Sequence, residues 1–211
     1  MSDQHRRGRV PNQTKFGVVL ADPPWPSAAT GPNGLARSHY PLMTLTQICA
    51  MPVKEQLLPD AVLFLWTRSP ALPEALEVIH AWGFKYRTVG FAWAKVTKNG
   101  KPQFGTGHYT RSALELCLLG IRGRPKVLSH SVRQLIIAQR RAHSRKPDLY
   151  DDIERLFKGP YLELFARQTR TGWTSVGNEI AKYAMKKQLD ASKGEFGGAY
   201  HRRLVEYEGA S

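Results

Sequence analysis

Short, continuous apolar runs recur along the chain and predict buried β-strands. The first is Phe16-Gly-Val-Val-Leu-Ala21, which stops at Asp22. An apolar run without polar alternation is typical of a strand buried on both faces of a parallel sheet. Four later segments have the same character, and we predict strands at 61–66, 88–93, 114–120 and 161–166.

Segments with apolar residues at helical spacing lie between these runs. From Ser69 to Gly83, apolar residues recur every three or four positions. We expect Ser69 to cap this helix, Pro70 to begin it and Gly83 to end it. Similar spacing predicts helices over 147–157 and 179–189. Strands that alternate with amphipathic helices indicate an α/β fold, with a mostly parallel sheet and helices on both faces.

The composition excludes several classes of protein. Hydrophobic residues make up 42% of the chain and charged residues 23%, which argues against wholesale disorder. The two cysteines, Cys49 and Cys117, are too few for a disulfide scaffold or a four-cysteine zinc site, and they indicate a reducing compartment. No apolar run has membrane-spanning length and no signal peptide is recognisable, so we expect a cytoplasmic protein without a membrane partner. The predicted organisation is a basic arm (1–15), one domain (16–189) and a poorly ordered tail (190–211).

Positive charge is in excess and unevenly placed. The chain has 31 Lys and Arg against 17 Asp and Glu, a net charge of +14. Two stretches, 95–111 and 122–146, contain no acid at all. Solvated surface lysines are common, but acid-free stretches on either side of one apolar segment favour a rim that faces nucleic acid.

The segment Asp22-Pro-Pro-Trp25 carries the candidate chemistry. An α/β sheet binds its ligands at the carboxyl ends of its strands, where Asp22 is expected. Prolines hold the turn rigidly, so the Asp22 carboxylate and a proline carbonyl can accept the two N–H groups of an exocyclic adenine amine. Trp25 would stack on the flipped base, and a sulfonium methyl group is the electrophile that fits. We therefore predict catalytic roles for Asp22, Pro23, Pro24 and Trp25; a capping Asp, a Pro-Pro turn and a packed Trp are the structural alternative.

Further motifs extend this pattern in a consistent order along the chain. They are Leu63-Phe-Leu-Trp66, Gly105-Thr-Gly-His-Tyr109, Glu115-Leu-Cys-Leu-Leu-Gly120, His143-Ser-Arg-Lys-Pro147 with Tyr150–Arg155, Glu163-Leu-Phe-Ala-Arg167, Gly172-Trp173 and Gly177-Asn-Glu179. Over residues 16–179 the chain resembles the DPPW-type N6-adenine methyltransferases, the family of the eukaryotic mRNA adenosine methyltransferase catalytic subunit and of many phage and bacterial proteins. The resemblance implies a Rossmann-like fold that uses S-adenosyl-L-methionine. Arg111 stands where the family has Asn, and Gln-Thr-Arg-Thr follows Arg167 where the family often has His-Asn.

The resemblance also implies the roles of individual residues. Asp22 would contact both the target amine and the amino-acid end of S-adenosylmethionine, and Lys146, supported by Ser144, would bind the cofactor carboxylate. The implied cofactor-binding residues are Asp22, Ser144, Lys146, Glu163, Phe165, Arg167, Thr169, Asn178 and Glu179. The candidate substrate-binding residues are Tyr40, His108, Tyr109, Arg111, Glu115, Arg140, Arg141 and Arg145. No metal-ligand spacing is present, and none is expected for methyl transfer to an amine.

The leading hypothesis is an adenine-specific DNA methyltransferase of phage or bacterial type. DNA is preferred because the small catalytic domain lacks appended RNA-binding modules. An RNA N6-adenosine methyltransferase is the close alternative. A catalytically inactive nucleic-acid-binding subunit is the alternative from another class, and a homodimer or a partner subunit is possible for any of them.

Overall fold

One seven-stranded sheet forms the centre of the protein. The computed structural model describes residues 14–26, 42–105, 109–139 and 146–177. The strands are β1 (Phe16–Ala21), β2 (Leu57–Thr67), β3 (Lys85–Val96), β4 (Leu114–Arg122), β5 (Leu135–Gln139), β6 (Tyr161–Leu164) and β7 (Trp173–Val176). Their order across the sheet is β5-β3-β4-β2-β1-β6-β7.

The sheet is mostly parallel, as predicted. Strand β1 pairs in parallel with β2 and β6, and the pairs β3–β5 and β6–β7 are also parallel. Strand β4 runs antiparallel to both of its neighbours, β2 and β3. Its first residues therefore lie at the edge where β1, β2, β3 and β6 end. We call this edge the carboxyl edge of the sheet.

Helices cover both faces of the sheet, which confirms the predicted α/β architecture. Helices α1 (Leu45–Cys49) and α2 (Leu72–Ala81) pack on one face, against side chains such as Val19 and Leu63. Helix α3 (Tyr150–Leu156) packs on the other, against Val18 and Phe64. Alternate residues of a strand point to opposite faces of the sheet. Because both faces are covered, every side chain of β1 is buried, which explains its continuous apolar run.

The element boundaries differ from the predictions at particular residues. Ser69 begins a short 3-10 turn, and α2 starts at Leu72 without a side-chain cap, so the prediction that Ser69 caps the helix is wrong. Strand β6 stops at Leu164 because Phe165 has a φ of 61°, which is outside the extended region. Strands β5 and β7 were not predicted.

The segment between β3 and β4 begins with an ordered turn. Its described beginning folds back on the end of β3. The Thr97 amide donates to the Lys101 carbonyl at 2.8 Å, and the Gln103 amide donates to the Lys95 carbonyl at 2.8 Å.

Several predicted segments lie outside the described residues. These are the helix at 179–189, most of the arm at 1–15, and the tail at 190–211. Among the helices that are described, none is long and apolar enough to cross a membrane.

Candidate active site

The carboxyl edge of the sheet places Asp22 in a pocket. Asp22 follows the last residue of β1, and the register pairs Ala21 with Leu164 at the end of the neighbouring β6. Residues that follow parallel strands therefore meet here, as the fold class requires. The pocket is lined by Leu20, Asp22, Trp66, Lys146, Pro147, Asp148, Leu149, Tyr150, Glu163, Phe165, Arg167 and Gln168.

A chain of ion pairs runs through this pocket into the sheet. The Lys146 ammonium lies 3.6 Å from the Asp22 carboxylate and also pairs with the Glu115 carboxylate. Lys95 pairs with the other oxygen of Glu115. Lys146 reaches the site from the segment before α3, whereas Lys95 and Glu115 come from β3 and β4. Four charges from distant parts of the sequence thus alternate in sign.

Burial and charge set the protonation of these groups. Burial raises the pKa of Asp22 above its ordinary value, and the positive charges of Lys146 and Arg167 offset only part of that effect. Burial also acts to raise the pKa of Glu115, but Lys146 and Lys95 outweigh it and hold that pKa below its ordinary value. For Lys146, burial acts to lower the pKa, but the carboxylates of Asp22 and Glu115 raise it. Lys146 is therefore a firmly protonated cation.

Trp25 is buried and packs in the core. Its indole N–H donates to the Trp66 carbonyl at 2.9 Å, and its side chain belongs to the apolar cluster on the α2 face. The Trp25 ring is therefore enclosed rather than open in this structure, and its stacking on a base stays a prediction. The packed-tryptophan alternative describes this residue better, because the buried Trp66 carbonyl needs a donor.

The two prolines of the motif already accept hydrogen bonds from the chain. The Pro23 carbonyl accepts from the Trp25 amide at 2.8 Å, and the Pro24 carbonyl accepts from the Met43 amide at 3.2 Å. These bonds fix the direction of the turn after Asp22. Each carbonyl oxygen has two lone pairs, so it can still accept one ligand N–H.

The segment after β6 is held by an unusually close backbone contact. The Ala166 amide donates to the Val176 carbonyl at 3.0 Å, and a Cβ at Gly177 would lie 2.1 Å from the Ala166 oxygen. Only glycine permits this approach. Phe165, immediately before the contact, has a positive φ that costs a bulky residue on the order of 1–3 kcal/mol. This backbone conformation lies directly after β6, and Phe165 and Arg167 both line the pocket.

Tyr150, at the start of α3, orients a pocket acid. Its hydroxyl donates to the Glu163 carboxylate at 2.7 Å, and burial together with Glu163 raises the pKa of Tyr150. The Tyr150 ring packs edge-on against Trp173 at 5.0 Å, with the Arg170 guanidinium 5.4 Å from its centre. Tyr150, which is itself packed against Trp173, therefore holds Glu163 in position.

The structure brings together most of the predicted cofactor residues that it describes. Asp22, Lys146, Glu163, Phe165 and Arg167 line one pocket, whereas the exposed Thr169 is not among the lining residues. Glu115, predicted to bind substrate, pairs with Lys146 and Lys95.

Two predicted substrate residues lie in the segment before β4. Tyr109 is fully exposed. The Arg111 guanidinium donates to the Gly105 carbonyl at 3.2 Å and lies 5.8 Å from the Phe104 ring.

Other predicted residues lie outside the described part of the chain. They are Tyr40, His108, Arg140, Arg141, Ser144, Arg145, Asn178 and Glu179. Sequence reasoning in turn missed Lys95, Trp66 and Tyr150 as parts of the site. Trp66 and Tyr150 stand inside quoted motifs, and Lys95 opens the first acid-free stretch, so these placements were the available signals.

The basic rim is not continuous around the site. Arg122, at the end of β4, pairs with Ala61 and donates to the Lys54 carbonyl at 3.2 Å, at the edge of the sheet opposite Asp22. The second acid-free stretch thus begins far from the pocket, and of its described residues Lys146 is the one that lines the pocket. The reversed direction of β4 explains why the prediction of one rim is wrong at Arg122 and Arg124.

The chemistry of the pocket fits S-adenosylmethionine. Lys146 offers a positive charge to a carboxylate, and Asp22 offers a negative charge to an ammonium or sulfonium group. Glu163 is a hydrogen-bond acceptor for ribose hydroxyls, and Phe165 adds an apolar wall. Within the described ranges no group of His, Cys, Asp and Glu is arranged to hold a metal ion.

Comparison with known proteins gives consistent matches. The family model described as MT-A70 matches residues 16–179. The N(6)-adenosine-methyltransferase MT-A70-like of Arabidopsis thaliana is 35% identical over 175 residues, covering 78% of this chain and 24% of the relative. Type II methyltransferase M.MunI of a Mycoplasma species is 32% identical over 189 residues, covering 79% of this chain and 78% of the relative.

The human N(6)-adenosine-methyltransferase catalytic subunit METTL3 is 33% identical over 181 residues. The match covers 79% of this chain and 28% of METTL3. The chain therefore spans about a quarter of the length of the two adenosine methyltransferases.

Proposed function

Since this chain belongs to the MT-A70 family of DPPW-type N6-adenine methyltransferases, we propose that it transfers a methyl group from S-adenosylmethionine to the N6 amine of adenine in DNA. The observation that carries the proposal is the pairing of Asp22 with Lys146 in one pocket at the carboxyl edge of the sheet. This pairing places an acceptor for the target amine beside a cation for the cofactor carboxylate.

The comparison with relatives favours DNA as the substrate, whereas the net charge does not distinguish DNA from RNA. The similarity to a Type II methyltransferase extends over most of both chains, whereas the adenosine methyltransferases match over about a quarter of their length. The net charge of +14 suits a polyanion of either kind, because phosphates supply the counter-charge. RNA remains the alternative, and the experiment below separates the two.

Each pocket residue has a defined task in the proposed reaction. Lys146 binds the carboxylate of the cofactor and so fixes its position relative to Asp22. The cofactor, when bound, supplies an electrophilic methyl group. The Asp22 carboxylate accepts a hydrogen bond from the adenine amine, and the remaining lone pair of the Pro23 or Pro24 carbonyl accepts the second. These acceptors favour a pyramidal nitrogen whose lone pair would form the new bond to the methyl carbon as the methyl–sulfur bond breaks and the neutral thioether leaves.

The Asp22 carboxylate is also the proposed acceptor of the proton that the amine loses. A nitrogen that gains a methyl group must lose a proton, and Asp22, which accepts a hydrogen bond from that amine in the proposed arrangement, can take it. Because burial raises its pKa, Asp22 is a better proton acceptor than an exposed carboxylate. The reaction therefore requires ionised Asp22 and protonated Lys146 together.

A side-by-side methylation assay tests the proposal. Purified protein with labelled S-adenosylmethionine is given DNA and RNA that carry the same set of sequences, and the modified sites are sequenced. The expected result is N6-methyladenine in DNA. Modification of RNA alone would replace the proposed substrate, and tight nucleic-acid binding without any transfer would indicate an inactive subunit.

A further inference from the structure

One carboxylate holds two lysines beside the candidate active site. Glu115 pairs through one oxygen with Lys146, which reaches Asp22, and through the other oxygen with Lys95. Glu115 is almost fully buried, with 9% of its surface exposed. A carboxylate in such surroundings needs compensating charge, and here it receives two cations.

Each of the two lysines packs against a tryptophan ring. The Lys95 ammonium lies 5.2 Å from the centre of the Trp93 ring, and the Lys146 ammonium lies 5.3 Å from that of Trp66. Both rings are buried and fixed in the sheet. Trp93 is also the register partner of Glu115, so β3 and β4 present Lys95 and Glu115 side by side. This arrangement is built into the sheet rather than formed by chance at the surface.

Only one of the two lysines reaches the pocket. Lys146 lines it and Lys95 does not. Without Lys95, the group formed by Asp22, Glu115 and Lys146 would carry a net negative charge. With Lys95, the four groups are balanced.

The rest of the pocket makes this balance more important. Asp148 and Glu163 also line it and add negative charge, whereas Arg167 adds one positive charge. Among the described lining residues the acids Asp22, Asp148 and Glu163 thus outnumber the bases Lys146 and Arg167. The binding of a ligand carboxylate at Lys146 therefore depends on how far Glu115 has already been neutralised.

We propose that Lys95 is a positioning residue for the cofactor carboxylate, acting by neutralising Glu115 so that Lys146 keeps its positive charge available to the ligand. The inference rests on the proposed function in one respect, namely that Lys146 binds the carboxylate of S-adenosylmethionine. Lys95 itself contacts neither cofactor nor substrate.

Two ligands that differ in the carboxylate test the inference by calorimetry at low ionic strength. S-adenosylhomocysteine carries the amino-acid end, and 5′-methylthioadenosine lacks it. Lys95→Met should lower the affinity for S-adenosylhomocysteine about tenfold, which is the effect of one charge over a few ångströms in partly screened surroundings. The affinity for methylthioadenosine should stay nearly unchanged. Lys95→Arg should retain affinity for both ligands. Lys85→Met, at the exposed opposite end of the same strand, is the control and should change neither.

A double variant separates the charge effect from a folding defect. If Lys95 acts only through Glu115, adding Glu115→Gln to Lys95→Met removes the unbalanced charge and should restore most of the lost S-adenosylhomocysteine affinity. Equal weakening of both ligands by Lys95→Met, or no recovery in the double variant, would overturn the inference.

The wild-type protein separates this inference from the proposed function. If it binds both ligands equally well, the assignment of Lys146 to the cofactor carboxylate is wrong, and the role of Lys95 fails with it. If the wild type prefers S-adenosylhomocysteine and Lys95→Met keeps the full preference, only the role of Lys95 is refuted.

Discussion

The Lys146 ammonium lies 3.6 Å from the Asp22 carboxylate, although one residue precedes the third helix and the other ends the first strand. The contact is made at the carboxyl edge of the sheet, where the chain returns from distant positions. Each residue changes the pKa of the other, so their protonation states are linked. The expected effects of altering either residue follow from this link.

Asp22→Asn removes the charge but keeps the size of the side chain. We expect kcat to fall by at least about a thousandfold, because the acceptor for the amine and its proton is lost. Asp60→Asn is the matched control, since Asp60 accepts the Arg124 amide at the opposite edge of the sheet and Asn can do the same. Single-turnover methylation measures the difference, and comparable losses in both variants would remove Asp22 from the mechanism.

The same substitution should also raise thermal stability at neutral pH. Burial raises the pKa of Asp22, so the folded state favours the uncharged form, and the wild type loses stability as pH rises from the ordinary Asp pKa through the raised one. Asp22→Asn avoids that loss. Calorimetric Tm values for both proteins across this range should diverge as pH increases; curves that stay parallel would contradict the expectation.

Lys146→Met should shift the pH dependence of kcat at saturating cofactor. Lys146 lowers the pKa of Asp22 against the effect of burial, so its removal lets that pKa rise further. The acid limb of the profile should therefore move to higher pH. Lys146→Arg keeps the charge and should leave the limb near its original position. An unmoved limb in Lys146→Met would show that Asp22 does not control it.

Trp25→Phe should destabilise the protein, although Trp25 was predicted to act on the base. The change leaves the buried Trp66 carbonyl without its donor, at a cost of about 1–3 kcal/mol in the free energy of unfolding. Trp173→Phe is the comparison, because its indole donates to a half-exposed Glu154 carboxylate that water can serve instead. Urea unfolding should show the larger loss for Trp25→Phe, and the reverse order would argue against a structural role.

Gly177→Ala should displace residues that line the pocket. The added Cβ would lie 2.1 Å from the Ala166 oxygen, and the required shift displaces Phe165 and Arg167. We expect a loss of about 1–3 kcal/mol in stability together with weaker S-adenosylhomocysteine binding. In Gly105→Ala the Cβ would meet its nearest atom at 3.4 Å, so this control should fold normally. Unchanged binding in Gly177→Ala would show that the close contact does not position the pocket.

The sequence predicts the interior of the sheet better than its edges. Strands β1, β2, β3, β4 and β6 contain apolar runs because they are enclosed by neighbours and helices. Strand β5 forms one edge and alternates exposed with half-buried residues, while β7 has four residues of which only Trp173 is buried. Such strands are defined by pairing with β3 and β6, which local composition does not encode.

The same limit applies to the site. Asp22 and Lys146 can be found from motifs, because a strand end and a short Ser-Arg-Lys-Pro segment mark them. The direction of the Trp25 side chain cannot be found from a motif, because it depends on a hydrogen bond to the Trp66 carbonyl, 41 residues away in the sequence. The pairing of Lys95 with Glu115 likewise requires β4 to run antiparallel to β3, and the apolar sequence of β4 resembles that of strands that pair in parallel, such as β1.

The reversed β4 has a consequence for how target recognition can diversify. Strand β3 ends and β4 begins at the carboxyl edge of the sheet, and Lys95 pairs with Glu115 where the segment that joins the two strands starts and ends. Both anchors belong to the sheet, so the segment that joins them can change in length and sequence without moving Lys95 or Glu115. We expect relatives to differ in this segment, which contains the candidate substrate residues His108, Tyr109 and Arg111, while the pocket residues at the ends of the strands stay the same.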